Sequence, residues 1–222
     1  MEDYASESEQ IEQIRKWVKQ NGPSMLAGVL LAAAGLFGWN QWQHWQSSKL
    51  SSANIRYAQV VDALGKNDRA GAAKLADTLR ADFARTAYAD QADLAVARSL
   101  VEAEDLKGAE ARLQTVVRET RDDALKVLAR YRLARVQRAE GKADEATKTL
   151  DAAPAAGFEA AFAELRGDIA ADKGDRAEAL KQYLAAAAGI ADGLVNREAL
   201  DLKVTALGGT LPEPAAGPGV RP

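Results

Sequence analysis

The stretch Ala139–Ala152, AEGKADEATKTLDA, decides the fold, because related stretches recur along the chain at a nearly constant spacing. The related stretches are KNDRAGAAKLADTL (66–79), AEDLKGAEARLQTV (103–116) and DKGDRAEALKQYLA (172–185). Aligned with one another, the four stretches put an alanine in register at steps of 37, 37 and 33 residues: Ala72, Ala109, Ala146 and Ala179. A period of this length indicates a solenoid built from one small structural unit per repeat.

The period is close to the roughly 34 residues of a tetratricopeptide repeat, which is a pair of packed helices. Small residues at fixed repeat positions allow the two helices of a pair to approach closely. The predicted framework consists of Ala97, Ala109, Leu133, Ala134, Gly141, Ala146, Gly167, Gly174 and Ala179. We therefore expect a tetratricopeptide-like α-solenoid of about four helix pairs, with a degenerate first unit between residues 53 and 83.

The rest of this region also has a helical pattern. Between Lys49 and Ala206 the sequence contains a single proline, Pro154, and apolar residues recur at three- and four-residue spacings. A final capping helix is predicted over 194–207, with Leu194 facing inward and Lys203 facing outward. The predicted fold class is all-α.

An uncharged window between Lys19 and Lys49 is the second main feature of the sequence. It contains Ser24–Trp45, SMLAGVLLAAAGLFGWNQWQHW. As one helix this stretch is about 30 Å long, the thickness of a bilayer's hydrocarbon core. The pattern predicts a transmembrane helix over 23–46, in preference to a buried core helix or a secretory signal. A signal is disfavoured because its n-region would be acidic and more than twenty residues long.

The cations that flank the span predict its orientation. Arg15, Lys16 and Lys19 precede it, whereas Lys49 and Arg56 follow it at a wider spacing, so the N-terminus is expected in the bacterial cytoplasm. Residues 1–22 are then a cytoplasmic segment whose short amphipathic helix, over 8–20, ends at Asn21-Gly22-Pro23. Residues 47–207 form a periplasmic domain anchored in the inner membrane, and 208–222 form a disordered Pro/Gly tail.

Two pairs of small residues lie one turn apart within the span: Gly28 with Ala32, and Ala34 with Gly38. This spacing allows a second transmembrane helix to pack closely against the first. Small residues are also common in membrane helices that have no such partner, and the sequence leaves both interpretations open.

The sequence contains no recognisable catalytic or cofactor motif. It has no cysteine, and its one histidine, His44, lies within the aromatic cluster that follows the span. The formal net charge of −3 gives no basic surplus for binding nucleic acid. We therefore predict a protein that is not an enzyme and has neither a cofactor nor a metal site.

The stretch SEQIEQIRKWVKQNGPSMLAGVLLAAAGLFGWNQWQ (8–43) resembles the YfgM family of single-span, tetratricopeptide-like inner-membrane proteins. The resemblance rests on Glu9-Gln10, Ile14, Lys16-Trp17, Asn21-Gly22, Gly28, Phe37-Gly38-Trp39 and Trp42-Gln43. The chain departs from the family pattern at Val18 and Pro23. The resemblance implies an ancillary subunit of the SecYEG translocon that assists PpiD, a membrane-anchored periplasmic chaperone, with polypeptide clients.

Two hypotheses follow from these observations. In the first, the protein is an interaction module at the translocon that assists the biogenesis of secreted or outer-membrane proteins. In the second, it is a tetratricopeptide scaffold for another cell-envelope assembly that is unrelated to secretion. Repeat framework residues describe helix packing, so they do not identify the ligand.

Overall fold

A computed structural model describes residues 7–189 and 194–212, and these residues contain helices and turns but no strands, which confirms the all-α prediction. The helices are α1 (Glu7–Gly65), α2 (Arg69–Phe83), α3 (Ala87–Glu102), α4 (Leu106–Glu119), α5 (Asp123–Ala139), α6 (Ala143–Asp151), α7 (Glu159–Asp172), α8 (Arg176–Ala188) and α9 (Arg197–Ala206). The chain divides into two units, Met1–Ser52 and Ala53–Pro222.

The N-terminal unit differs from the sequence prediction at residues 21–23. The predicted helix over 8–20 does not end there, because α1 continues through Pro23 with a 49° bend between Ile14–Gly22 and Ser24–Gly65. Proline lacks an amide N–H and therefore removes one helical hydrogen bond, which can bend a helix without ending it. No single helix among the described residues is long and apolar enough to cross a bilayer, but the two arms of this bend together satisfy those criteria of length and composition.

Large apolar side chains of α1 are exposed along this unit. Those at least half exposed between residues 25 and 45 are Met25, Leu26, Leu30, Leu31, Leu36, Phe37, Trp39, Trp42 and Trp45. Gly28, Ala32, Ala34 and Gly38 are exposed as well, and a Cβ atom added to either glycine would meet nothing within 4 Å. The small residues proposed for membrane packing thus lie on an open helix surface.

In the C-terminal unit, the turn that joins the two helices of each pair has the same backbone geometry. Residues with positive φ occupy equivalent positions, at steps of 37, 37 and 33 residues: Asn67, Glu104, Gly141 and Gly174. The next residue caps the following helix, and Asp68, Asp105 and Asp175 each accept a hydrogen bond from the amide N–H three residues later, at 2.8 to 3.0 Å. Glycine adopts positive φ without strain, which explains Gly141 and Gly174.

The alanines that defined the repeat, Ala72, Ala109, Ala146 and Ala179, all have zero solvent exposure. They lie on α2, α4, α6 and α8, the second helix of each pair. The first helices are the end of α1 (53–65), α3, α5 and α7. Buried residues recur there in the same register, and α9 adds a fifth: Val60, Ala97, Ala134, Gly167 and Leu200.

The crossing of α7 with α8 leaves no space for a side chain at its glycine. A Cβ atom added to Gly167 would lie 2.5 Å from the Tyr183 ring and 3.2 Å from the carbonyl oxygen of Ala179. Distances this short require the neighbouring atoms to move.

The final helix begins at Arg197 rather than at the predicted 194, and two side chains of the predicted helix face differently from the prediction. Leu194 is 47% exposed rather than inward-facing, and the adjacent Val195 is buried instead. Lys203 does not face outward, because its side chain turns to carboxylates of α7. Within the predicted tail, residues 208–212 are described and Leu211 packs on the core, whereas 213–222 lie outside the described residues.

We expect Ala179→Leu to lower the free energy of unfolding by about 1 to 3 kcal/mol, because the larger side chain overpacks the α7–α8 crossing. Ala185→Leu provides a matched control on an exposed position of the same helix and should change stability by less than about 0.5 kcal/mol. Urea denaturation followed by circular dichroism measures both values. Equal stability of the two variants would contradict this repeat register.

Candidate functional site

The first helix of each pair presents one row of side chains that follows directly from the repeat register. The residue after each buried framework position turns away from the core, which places Arg98, Arg135 and Asp168 in equivalent positions on α3, α5 and α7. These three residues line two adjoining cavities that share Arg135 and Ala139. We call the two cavities together the groove.

The first, which we call the arginine cavity, has a volume of about 420 Å³ and lies between α3, α4 and α5. Its lining residues are Ala97, Arg98, Val101, Leu106, Leu113, Arg132, Arg135, Val136 and Ala139. Three of these nine lining residues are arginines, and none of the nine is acidic. An apolar floor is therefore combined with a positively charged rim.

The arginines of this rim differ in their partners. Arg98 forms a 2.8 Å ion pair with Glu102 on its own helix. The Arg135 guanidinium lies 5.6 Å from the centre of the Tyr131 ring, a cation–π distance. Burial lowers the pKa of Arg132, and the positive charges of Arg98 and Arg135 lower it further. The rim is thus a site of mutual repulsion between like charges.

The second, which we call the mixed-charge cavity, has a volume of about 540 Å³ and lies between α5, α7 and α9. Its lining residues are Tyr131, Arg135, Arg138, Ala139, Glu164, Leu165, Asp168, Asp172 and Lys203. Of its cations, Arg138 and Lys203 have carboxylate partners.

Asp168 is the centre of the ion pairs in the mixed-charge cavity. It lies 3.0 Å from Arg138 and 2.7 Å from Lys203, and it accepts a 2.9 Å hydrogen bond from the Tyr183 hydroxyl. Arg138 also binds Asp172 at 2.6 Å. Burial raises the pKa of the Tyr183 hydroxyl, and its hydrogen bond to Asp168 raises it further, so this hydroxyl is held as a donor.

A separate ion-pair network joins α2, α3 and α4. Asp93, only 1% exposed, lies 2.7 Å from Arg80 and 3.0 Å from Arg112, while Asp90 lies 2.8 Å from Arg80. Burial raises the pKa of Asp93, although both guanidinium groups oppose the shift. The charged groups of this network are paired with one another, so the network links the first two helix pairs structurally.

A third network joins α4, α5 and α6 around Glu110. Its carboxylate accepts hydrogen bonds from Lys142 at 2.6 Å and from Gln137 at 3.0 Å. The hydrogen bond from Lys142 lowers the pKa of Glu110, and that from Gln137 contributes to the same shift. The second and third helix pairs are joined in this way.

The predicted framework residues occupy the core and the turns. Ala97, Ala109, Leu133, Ala134, Ala146, Gly167 and Ala179 are buried, and Gly141 and Gly174 lie in the turns. Of these residues only Ala97 lines the groove. The charged groove residues were missed by the sequence analysis, although the same register, read one position after each framework residue of the first helices, would have indicated them.

Among residues 7–189 and 194–212, no group of three or more His, Cys, Asp or Glu residues is placed to hold a metal ion. His44 is exposed on α1. The chemistry available in the groove is ion pairing, hydrogen bonding and apolar contact, which are the interactions that bind a partner.

Comparison with known families agrees with this architecture. A family model described as a tetratricopeptide repeat-like domain matches residues 15–209. The fold and the groove thus define a tetratricopeptide repeat-like protein. No solved structure gives a significant match to the chain.

Curated relatives identify the family more closely. A protein of Escherichia coli is 36% identical over 79% of this chain and 84% of its own length, and one of Haemophilus influenzae is 32% identical over 81% and 88%. A protein of Neisseria gonorrhoeae is 27% identical over 93% of this chain and all of its own length. All three bear the name ancillary SecYEG translocon subunit. The chain belongs to the YfgM family, as the sequence resemblance predicted.

We expect Glu110→Gln to lower the free energy of unfolding by about 0.5 to 1 kcal/mol at pH 7, because the charged link to Lys142 is lost. A carboxylate whose folded pKa is lowered stabilises the fold above its unfolded pKa of about 4.3, and this contribution disappears as the pH falls through the folded pKa. The difference from the parent should therefore shrink progressively as the pH falls below the unfolded pKa.

The matched control is Glu145→Gln, which changes an exposed carboxylate that forms no ion pair with any residue whose side chain the structure describes. Denaturant titrations at a series of pH values measure both differences. A Glu110→Gln deficit that persists unchanged in acid would show that the carboxylate charge does not stabilise this link.

Proposed function

We propose that this protein is a non-enzymatic interaction module, anchored in the bacterial inner membrane, that acts as an ancillary subunit of the SecYEG translocon. In this role it assists a membrane-anchored chaperone of the PpiD kind with the biogenesis of secreted or outer-membrane proteins. The observation that carries the proposal is the similarity, over about four-fifths of the chain, to relatives that are named ancillary SecYEG translocon subunits.

Exposed apolar surface on α1 supports a membrane anchor over residues 23–46. Leu31, Leu36 and Phe37 are each more than 70% exposed, and a continuous apolar surface of this kind is unfavourable in water. In a bilayer the same surface is buried in hydrocarbon, and Trp39, Trp42 and Trp45 lie at the interface.

The charge distribution around α1 supports an orientation with the N-terminus in the cytoplasm. Arg15, Lys16 and Lys19 precede the apolar stretch, and the positive-inside rule places such clusters on the cytoplasmic side. The groove then lies in the periplasm, where polypeptides leave the translocon. A single anchor would restrict the domain to a layer beside the membrane and raise its effective concentration at a neighbouring complex.

The groove supports contact with polypeptide rather than a chemical reaction. Its two cavities combine apolar surface with ion pairs and hydrogen-bonding groups, and their charged residues come from α3, α5, α7 and α9, the first helices of successive pairs and the final helix. Repeat proteins use surfaces of this kind for extended and weak contacts with other chains.

The small residues of the span provide a test of translocon association. Gly28 and Ala32 lie on one face of the helix, and Ala34 and Gly38 lie on a roughly opposite face. If the face with Gly28 and Ala32 packs against a translocon helix, Ala32→Leu should lower the recovery of SecY severalfold, because the larger side chain separates the two helices. Ala33→Leu makes the same change about 100° around the helix and should leave recovery at the parental level. The measurement is quantitative co-purification of SecY and PpiD in mild detergent.

Deletion of residues 50–206 separates the contribution of the domain from that of the span. The remaining membrane peptide should retain SecY and lose PpiD and clients, because their proposed contacts lie in the groove. Failure of the intact protein to recover SecY would overturn the translocon assignment. That result would favour the scaffold for another envelope assembly.

A further inference from the structure

The arginine cavity carries positive charge that the domain does not neutralise. Arg132 and Arg135 form no ion pair with any residue whose side chain the structure describes, and Arg98 is balanced only by Glu102 on its own helix. Keeping like charges together beside apolar surface is unfavourable unless another group offsets it. The cavity therefore carries positive charge that an anionic ligand would neutralise.

Other arginines of the domain that are partly or largely buried differ from this pair. Arg80, Arg112, Arg138 and Arg166 each have at least one carboxylate partner within 3.2 Å. Arg130 donates to the carbonyl oxygen of Ala153. Arg197 likewise donates to the carbonyl oxygen of Pro212. Most of the other partly buried arginines therefore have a carboxylate partner, which Arg132 and Arg135 lack.

Apolar surface accompanies this charge. Val101 is 41% exposed at the edge of the cavity, and Leu106, Leu113 and Val136 continue the apolar surface inward. A ligand that matches the site must then supply both an anionic group and an apolar group, a few ångströms apart. A simple inorganic anion would leave the floor uncovered.

We propose that the arginine cavity binds an extended polypeptide segment in which acidic side chains alternate with apolar ones. The carboxylates accept hydrogen bonds from Arg132 and Arg135, whose planar guanidinium groups bind carboxylates in a bidentate manner. The apolar side chains cover Val101 and the floor. This inference rests on the proposed function, since it names the class of polypeptide that the groove would receive.

The mixed-charge cavity favours a peptide over a lipid headgroup as the occupant. It continues directly from the arginine cavity through Arg135 and Ala139, and it offers Arg138, Glu164 and Asp172 as paired donors and acceptors. A peptide has alternating backbone N–H and C=O groups that can use both kinds of partner along its length. A lipid headgroup carries an anion but no such continuation.

The test uses the full chain in mild detergent and fluorescent ten-residue peptides, with affinity measured by fluorescence anisotropy. A peptide of alternating Glu and Leu should bind, whereas peptides of alternating Lys and Leu, or Glu and Ser, should bind at least about fivefold more weakly. The Arg132→Ala/Arg135→Ala variant should lose about fivefold or more in affinity, as removal of exposed charge pairs predicts. High salt should weaken binding of the parent.

Three variants control for other causes. Arg132→Lys/Arg135→Lys retains the charge and should recover part of the lost affinity, while Val101→Ser should weaken binding by removing apolar contact. Arg121→Ala removes an exposed arginine outside the groove and should leave affinity unchanged. An unchanged melting temperature of the alanine variant would confirm that lost affinity is not lost folding.

The proposal is overturned if the alanine variant binds the Glu–Leu peptide like the parent, if the Lys–Leu peptide binds equally well, or if no peptide binds. It is also overturned if soluble short-chain phosphatidylglycerol displaces the peptide and binds more tightly through the same arginines, which would assign the cavity to a lipid. Recovery of SecY by the intact chain is scored separately. Failure of the peptide test therefore leaves the translocon assignment standing, and the reverse also holds.

Discussion

Close approach of paired helices at alanine is the constraint on which the rest of the domain depends. Ala72, Ala109, Ala146 and Ala179 have no solvent exposure, and at the α7–α8 crossing there is no room for a Cβ atom on Gly167. Because the crossing residue fixes the rotation of each helix, it also fixes which side chains face away from the core. The row containing Arg98, Arg135 and Asp168 is a geometric consequence of that packing.

Charge is distributed over this scaffold in two ways. Between successive helix pairs, carboxylates and cations are paired, as around Asp93, Glu110 and Asp168. Breaking such a partly buried pair leaves an uncompensated charge, so these networks favour one arrangement of neighbouring repeats. Positive charge in the arginine cavity is not balanced in this way and remains available to a partner.

Much of the fold could be predicted from the sequence, because the repeat period of the sequence is set by the packing of its helix pairs. The spacing of the four alanines located the helix pairs, and Gly141 and Gly174 marked turns that require positive φ. Asn67 and Glu104 adopt the same backbone conformation at the first two turns without glycine, so glycine alone would not have marked those turns. Asn21-Gly22-Pro23 was interpreted as the end of a helix, yet the helix continues and accommodates the missing hydrogen bond at Pro23 by bending.

The groove could be predicted only in part. Framework positions state which face of a helix is buried, and so where the groove positions fall, whereas the type of side chain at a groove position follows no packing rule. Lys203 illustrates the difficulty, since helical periodicity placed it on the solvent side of α9. Its long side chain instead reaches Glu164 and Asp168, more than 30 residues earlier in the chain.

The central claim is that the groove contacts polypeptide beside the translocon. In-cell photo-crosslinking tests it most directly, with a photoreactive amino acid at Val101 in the groove or at Leu184 on α8, since the two positions are similarly exposed, at 41% and 37%. The account predicts crosslinks from Val101 to newly exported polypeptides and far fewer from Leu184. Equal crosslinking from both positions, or crosslinks to exported chains from Leu184 alone, would contradict it.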